Sequence, residues 1–294
     1  MSERSLLVLK AYSRVDTCSD KVLELRSLRL SPKEYVRRMR EIKGASPNAL
    51  KYLQFLSEYK EGLFRPEKCD VYEPIKEIFD PEDLATPAWW LSQPRGRVMV
   101  KKRRPFHYEG FIDNMRHAEI WIGGSKTPRP LPPDPIFVIE LCLWLDMKAL
   151  KVLGSEAIIQ FFIDFYLQIK GEYGYLSTDE DHCRKNYRAV PTQIGTSHRF
   201  EGDNLEKCLP GIFWANIFGG PYVDWFGKQK LAATPCFRHQ GLPDGSQYIQ
   251  TAEDVMYYQD PAGAERDRHI IEHLGSDAFY DISIPDKVCR MPRF

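Results

Sequence analysis

Apolar positions recur along this chain with two periods, and the switches between them mark its elements. Leu6 to Tyr12 is a short, mostly apolar run that reads as a strand. Ser31-Pro32 then supplies a cap and a proline for the first helical position, and Tyr35, Val36, Met39 and Ile42 share one face before Gly44 ends the pattern. Ser46-Pro47 repeats the signal, opening a helix whose Leu50, Leu53, Leu56 and Tyr59 keep helical spacing to Gly62. So short a link between two helices predicts an antiparallel hairpin. From Arg65 to Pro94, repeated prolines break both periods, so loops with short helical turns are expected, with Trp89-Trp90 as an anchor onto the core.

Strands dominate the middle of the chain: Arg97 to Arg103, Ala118 to Ile122 and Ile136 to Leu145. In the last, Phe137, Ile139, Leu141, Leu143 and Leu145 alternate with Ile136, Val138, Glu140, Cys142 and Trp144, so both faces are largely apolar, as in a central strand covered on two sides. The proline tract 126–135 reads as a stiff connector. It divides the chain into an N-terminal α+β lobe, 1–125, holding the helical hairpin, and a C-terminal α+β lobe, 136–294. In the second lobe, Ser155 to Lys170 is helical and apolar almost all round, with Glu156, Gln160, Asp164 and Gln168 as its polar stripe. Asp179-Glu180-Asp181 follows as an exposed acidic loop. Pro210 to Asn216 reads as a strand, and Pro221 to Gly227 as a short helix. Phe237 to Gln240 and Gln247 to Gln250 flank Leu242-Pro-Asp-Gly245, a hairpin turn with glycine where a positive φ is wanted. A final helix runs from the Asp260 cap and Pro261 to Gly275. The pattern predicts an α+β fold in two lobes, with a mixed, mainly antiparallel sheet and flanking helices.

Charge and composition narrow the function classes. The chain has 294 residues, and its 41 Lys+Arg balance 41 Asp+Glu, which disfavours a dedicated nucleic-acid binder held by net basic charge. With 43% hydrophobic and 28% charged residues it has enough apolar surface to bury a core. The apolar run Leu6 to Leu9 is too short for a signal peptide, and the most apolar stretch, Ala157 to Ile169, is too short to span a bilayer. A cytoplasmic location and no membrane partner are expected. The cysteines, Cys18, Cys69, Cys142, Cys183, Cys208, Cys236 and Cys289, are odd in number with no C-x-x-C pair, which suits free thiols better than a disulfide framework.

Candidate chemistry is sparse. His269-Ile-Ile-Glu272-His273 has the H-x-x-E-H form in which two imidazoles on one helix face ligate Zn²⁺ and the carboxylate acts as base. A zinc-dependent hydrolase using these three residues is the alternative reading. The third ligand such sites take, a downstream glutamate, is missing from the residues after His273, so a solvated helix with histidines near its C-terminal end is the simpler account. His182-Cys183 with His198, or Cys236 with His239, would give partial ligand sets without a second pair at a recognised spacing. No G-x-S-x-G elbow or phosphate loop occurs, and Gly123-Gly124-Ser125-Lys126 runs into prolines rather than a helix. Arg95, Arg97, Lys101, Lys102, Arg103 and Arg104 interleave with Val98 and Val100, which predicts an exposed or edge strand guarded by charge. Arg129-x-x-Pro132-x-x-Pro135 fits a polyproline ligand pattern but runs straight into a strand, which favours a connector.

The C-terminal region carries a resemblance. Pro210-Gly-Ile-Phe-Trp-Ala-Asn-Ile-Phe-Gly-Gly-Pro-Tyr-Val-Asp-Trp-Phe-Gly227, the Leu242-Pro-Asp-Gly245 turn, and the helix from Asp260-Pro261 to Leu274-Gly275 resemble immunity proteins of bacterial polymorphic-toxin and type VI secretion systems. Gly171-Glu-Tyr-Gly174-Tyr175 matches a Gly-Tyr junction those proteins carry upstream. The likeness covers roughly the last 140 residues, and the first 120 match nothing. It implies a non-enzymatic cytoplasmic protein, without cofactor, that neutralises a cognate toxin such as a nuclease by stoichiometric binding. Since the chain is neutral overall, complementarity to such a partner must be local. Asp179, Glu180 and Asp181 are the candidate toxin-binding residues.

Overall fold

A computed structural model describes residues 6–18, 20–28, 34, 37–38, 41–42, 44–93, 96–115, 136–192, 195–200, 205–284 and 287–293; for 26–27, 189–192 and 195–200 it describes the backbone alone. The chain forms two compact units, Tyr12–Leu143 with Gln168–Lys170 (the N-unit), and Met1–Ala11 with Trp144–Leu167 and Gly171–Phe294 (the C-unit). Strands β1 (Leu6–Ser13) and β6 (Ile139–Asp146) contain the unit boundaries.

In the N-unit, α1 (Asp20–Ser27) precedes α2 (Pro47–Gly62), β2 (Lys68–Asp70), β3 (Glu77–Ile78), α3 (Ala85–Leu91), β4 (Arg97–Lys102) and β5 (Tyr108–Asn114). The Ser46 cap works as its sequence implies, its hydroxyl accepting from the Ala49 amide at 3.1 Å with Pro47 beginning the helix. Most of the helix expected over 31–44 lies outside the described residues, as do the strand at 118–122 and the proline tract. Glu34, Arg37, Arg38 and Glu41 are helical, and Arg37 pairs with both glutamates. Trp89 and Trp90 are half-buried on α3, whose inward side chains are Pro87, Ala88 and Leu91.

The basic strand departs from its expected place. β4 is no edge, because β2 pairs along one side and β5 along the other, both antiparallel. Register supplies the reason. Arg97 lies opposite Asp113 and pairs with it at 2.6 Å, and Lys101 lies opposite Glu109 and bonds to it. Lys102 is buried, its ammonium donates to the Arg65 carbonyl at 3.0 Å, and burial holds its pKa below the usual lysine value. Opposite-charge pairs across strands thus place Arg97 and Lys101 on an interior strand, and a carbonyl does so for Lys102.

The C-unit runs α4 (Lys148–Leu153), α5 (Ser155–Gln168), β7 (Gly171–Thr178), α6 (Asp179–Asn186), the hairpin β8 (Tyr187–Thr192) and β9 (Gly195–Phe200), β10 (Ala215–Phe218), α7 (Gly220–Phe226), α8 (Lys228–Ala232), the hairpin β11 (Arg238–Gly241) and β12 (Gln247–Gln250), and α9 (Pro261–Leu274). Its sheet has the order β7-β10-β12-β11, antiparallel throughout. α5 buries Ile158, Phe161, Phe162, Phe165 and Tyr166 and leaves Glu156 and Gln160 exposed, as its stripe requires. The hairpin turn has Gly245 at φ 92°, a left-handed conformation that favours glycine. The strand expected from Pro210 lies later, at Ala215–Phe218, and the acidic loop expected at 179–181 is the first turn of α6. Across both units the fold is α+β with antiparallel sheets and flanking helices, and no described helix is long and apolar enough to cross a membrane.

Free thiols throughout are not what forms. Cys208 and Cys289 make a disulfide, their Cα atoms 5.3 Å apart across 81 residues of sequence. Partners so remote leave no local spacing signal, and an odd count only requires one cysteine to stay unpaired. The closed loop contains β10, α7, α8, the β11–β12 hairpin and α9. Chain-entropy arguments give a loop of this length a stabilisation of about 4 kcal/mol. Cys289→Ser, or reduction of the wild-type protein, should therefore lower the urea midpoint, while reduction of the Cys289→Ser variant should change little. Equal midpoints for oxidised and reduced wild type would show that the bridge does not constrain the chain.

Candidate functional site: an ion-paired helix and an acidic cavity

Helix α6 organises the surface of the C-unit that holds the predicted residues. Thr178 caps it, its hydroxyl accepting from the Asp181 amide at 3.1 Å, and the carboxylates of Asp179, Glu180 and Asp181 suit the positive end of the helix dipole. The signal was present in sequence, as a threonine followed three residues later by an acidic side chain. The three carboxylates have different surroundings. Asp179 is half-buried, Glu180 is exposed, and Asp181 is only 1% exposed.

Asp181 belongs to a charged network within the unit. Its two oxygens take Arg184 at 2.6 Å and Lys185 at 2.8 Å. The same Lys185 ammonium lies 2.7 Å from Asp267 on α9 and donates to the Ile212 carbonyl at 2.5 Å. The Tyr257 hydroxyl donates to the other Asp267 oxygen at 2.7 Å. Burial pushes the Asp267 carboxyl above the usual aspartate value, with Lys185 pulling the other way, and burial likewise raises the Tyr257 phenol. Through Lys185–Asp267 and Tyr257–Asp267 the network joins α6, the 3-10 turn Tyr257–Gln259 and α9, so it works as a clamp.

Beside the clamp lies a cavity of about 690 Å³. Phe237, Glu253, Asp254, Asp260 and Arg266 line it and are exposed, while Tyr257 lines it as part of the clamp. Glu180 reaches the same neighbourhood by accepting the Tyr258 hydroxyl at 2.7 Å, and Arg184 lies over the Tyr258 ring at 5.9 Å. The 3-10 turn is fixed from below by Gly263, where a Cβ atom would sit 2.0 Å from the Tyr257 carbonyl oxygen. The exposed charges of the lining are thus three carboxylates against one guanidinium, with Phe237 as its exposed aromatic side chain, on a backbone whose position the clamp sets. Sequence reasoning singles out Asp179, Glu180 and Asp181 and does not single out Lys185, Tyr257, Asp267 or the cavity, since no motif links positions so far apart.

The H-x-x-E-H residues do not converge. On α9, the His273 ring nitrogen Nε2 lies 2.8 Å from the Lys230 carbonyl, His269 faces Glu265 at 3.9 Å, and Glu272 faces Arg268 at 3.9 Å. Cys236 approaches the Arg238 carbonyl, while His239 bonds to Gln247 at 2.9 Å. Among the described residues, one set of three ligand-type side chains gathers closely, Asp179, His182 and Cys183 on α6. The side chain of His198, the partner considered for His182-Cys183, lies outside the description.

No protein-family model matches this chain, and a search of curated proteins finds no significant match. A solved structure similar to it is that of the Pseudomonas aeruginosa T6SS protein PA0821. The likeness covers 99% of this chain and 79% of that one, at 12% identity and a TM-score of 0.46.

The clamp makes a specific prediction. Lys185→Met leaves two buried carboxylates without their shared cation and should cost about 3–5 kcal/mol at neutral pH. Asp267, already raised by burial, would then lose the cation that pulls its pKa down and have a folded pKa above its unfolded one. The stability that the protonated Asp267 contributes is present below about pH 4 and is lost as pH rises, so the variant should regain stability on acidification. Adding Asp267→Asn to Lys185→Met should recover part of the loss, because it removes one stranded charge. Strictly additive costs in urea denaturation would rule out the shared-cation account.

Proposed function

We propose that this chain is an immunity protein that binds a cognate secreted toxin, such as a nuclease acting in the cytoplasm, and neutralises it by stoichiometric inhibition. The observation that carries this reading is the build of the C-unit. Strand β10, the Gly220-Pro221 helix α7, the glycine-turned β11–β12 hairpin and the closing helix α9 follow in the order that the resemblance to immunity proteins implies. The buried charges of the clamp are used in holding this unit together, whereas Glu253, Asp254 and Asp260 at the cavity are exposed.

That surface suits a basic protein partner. Glu180, Glu253, Asp254 and Asp260 provide local negative charge that the neutral total conceals, and exposed Phe237 provides an aromatic anchor. A nuclease must carry basic side chains where it holds phosphates, so an acidic face could steer and cover that region. In this reading Glu180 and Asp179 contact the toxin, while Asp181 supports them from within.

The test is co-expression with the product of the adjacent gene. If that product halts growth, the wild-type chain should restore it and co-purify at one to one. An adjacent product that is harmless, or one whose toxicity the chain leaves unchanged, would overturn the proposal. With a complex in hand, Glu180→Lys, Glu253→Lys and Asp254→Lys together should slow association and flatten its salt dependence. Unchanged association kinetics would move the interface elsewhere.

A further inference from the structure

We propose that Asp179, His182 and Cys183 form a binding site for a divalent transition metal of the zinc type. This inference does not rest on the immunity reading, and it concerns a different set of residues from the H-x-x-E-H string. Spacing of i, i+3 and i+4 makes the three side chains neighbours on α6. A carboxylate oxygen, an imidazole nitrogen and a thiol sulfur there all lie within 4.8 Å of one another. Tetrahedral zinc, with bonds of about 2.0 Å to nitrogen and 2.3 Å to sulfur, needs its ligand atoms about 3.5 Å apart. The half-buried Asp179 and Cys183 side chains are the ones that would rotate to close that gap of roughly 1 Å around the His182 ring, with the helix backbone left in place.

The donor set decides the kind of ion. A thiolate and an imidazole are too soft for magnesium or calcium and suit zinc or its spectroscopic substitute cobalt(II). One thiolate and one carboxylate also balance a charge of two, so the filled site would be neutral. The scaffold is held from both ends, by the Thr178 cap and by the Asp181 ion pairs. His182 is buried, with its ring 5.7 Å from Tyr175 and 6.0 Å from Phe213, which restrains its orientation as a ligand needs. Asp179 and Cys183 are half-buried, so the ion can enter from solvent and keep a fourth position for water.

Cobalt(II) titration of the full chain, with the Cys208–Cys289 bridge intact and no reductant, tests the site. The expected result is one Co²⁺ per chain, a thiolate-to-cobalt charge-transfer band in the near ultraviolet, and its loss on adding Zn²⁺. Cys183→Ser should abolish the band. Losing an outer partner of a ligand alone weakens metal binding roughly 10–100-fold, so Asp179→Asn and His182→Asn should each cost at least that much. Circular dichroism checks that the variants fold, and Asp179→Asn, at a half-buried position, serves if the buried His182 variant does not. The absence of a charge-transfer band from the wild type, or its persistence in folded Cys183→Ser, would overturn the site.

Discussion

The C-unit depends on one ammonium group. Lys185 sits between Asp181 on its own helix and Asp267 on α9, and also meets the Ile212 carbonyl. Buried charges of this kind add little net stability, because desolvation offsets most of the attraction. They are intolerant of misplacement, however, and that intolerance fixes geometry. With Lys185 in place, α9 has one position relative to α6. Tyr257 then takes its bond to Asp267, and the turn that lines the cavity is fixed with it. Gly263 permits the close approach of α9 to that turn, so a small residue and a charged network act on the same contact from opposite sides.

The neutral net charge takes on a different meaning once these pairs are placed. In the N-unit, the cations of β4 face carboxylates on β5 across the strand register, and Lys102 is capped by a backbone carbonyl. Two cations of the basic segment, Arg97 and Lys101, are thereby used in sheet pairing, while Arg103 and Arg104 stay exposed. In the C-unit, the clamp consumes two carboxylates and two cations, and the cavity keeps an excess of exposed carboxylates. The equality of 41 and 41 hides this unequal division between groups bound in the interior and groups presented to solvent.

What could be read from sequence was what local physics decides. Ser46-Pro47, Pro221, Gly245 and Pro261 marked element ends because a cap, a fixed φ or a positive φ is a property of a few adjacent residues. β1, α5 and α9 were legible from periodicity. β5 was not, since Gly110 and Asn114 sit among its inward positions and dilute the apolar alternation. In sequence the acidic turn of α6 reads as a loop, because its charges outweigh the Thr178 cap signal. The interior place of β4 could not be seen without its register against β5. Nor could the Cys208–Cys289 bridge, or the clamp spanning Asp181, Lys185 and Asp267, because each joins residues with no sequence neighbourhood in common. The candidate site was therefore legible as a location, through Asp179 and Glu180, and illegible as a mechanism of support.

Helix geometry explains how α6 can support itself and still offer binding groups. Successive residues turn by about 100°, so Asp181 and Lys185 lie within about 40° of each other, and Asp179 and Cys183 lie about 160° away. The ion pairs that anchor the helix are thus on the side opposite the thiol and the half-buried carboxylate. Glu180 projects in a third direction, where Tyr258 receives it. A helix held only by apolar packing would have to surrender one of these faces to the core. Because Lys185 holds α6 through charge, its eight residues can anchor the unit on one face and present donors on another. The cost is that both functions depend on one cation, so a binding surface here is no more stable than the clamp behind it.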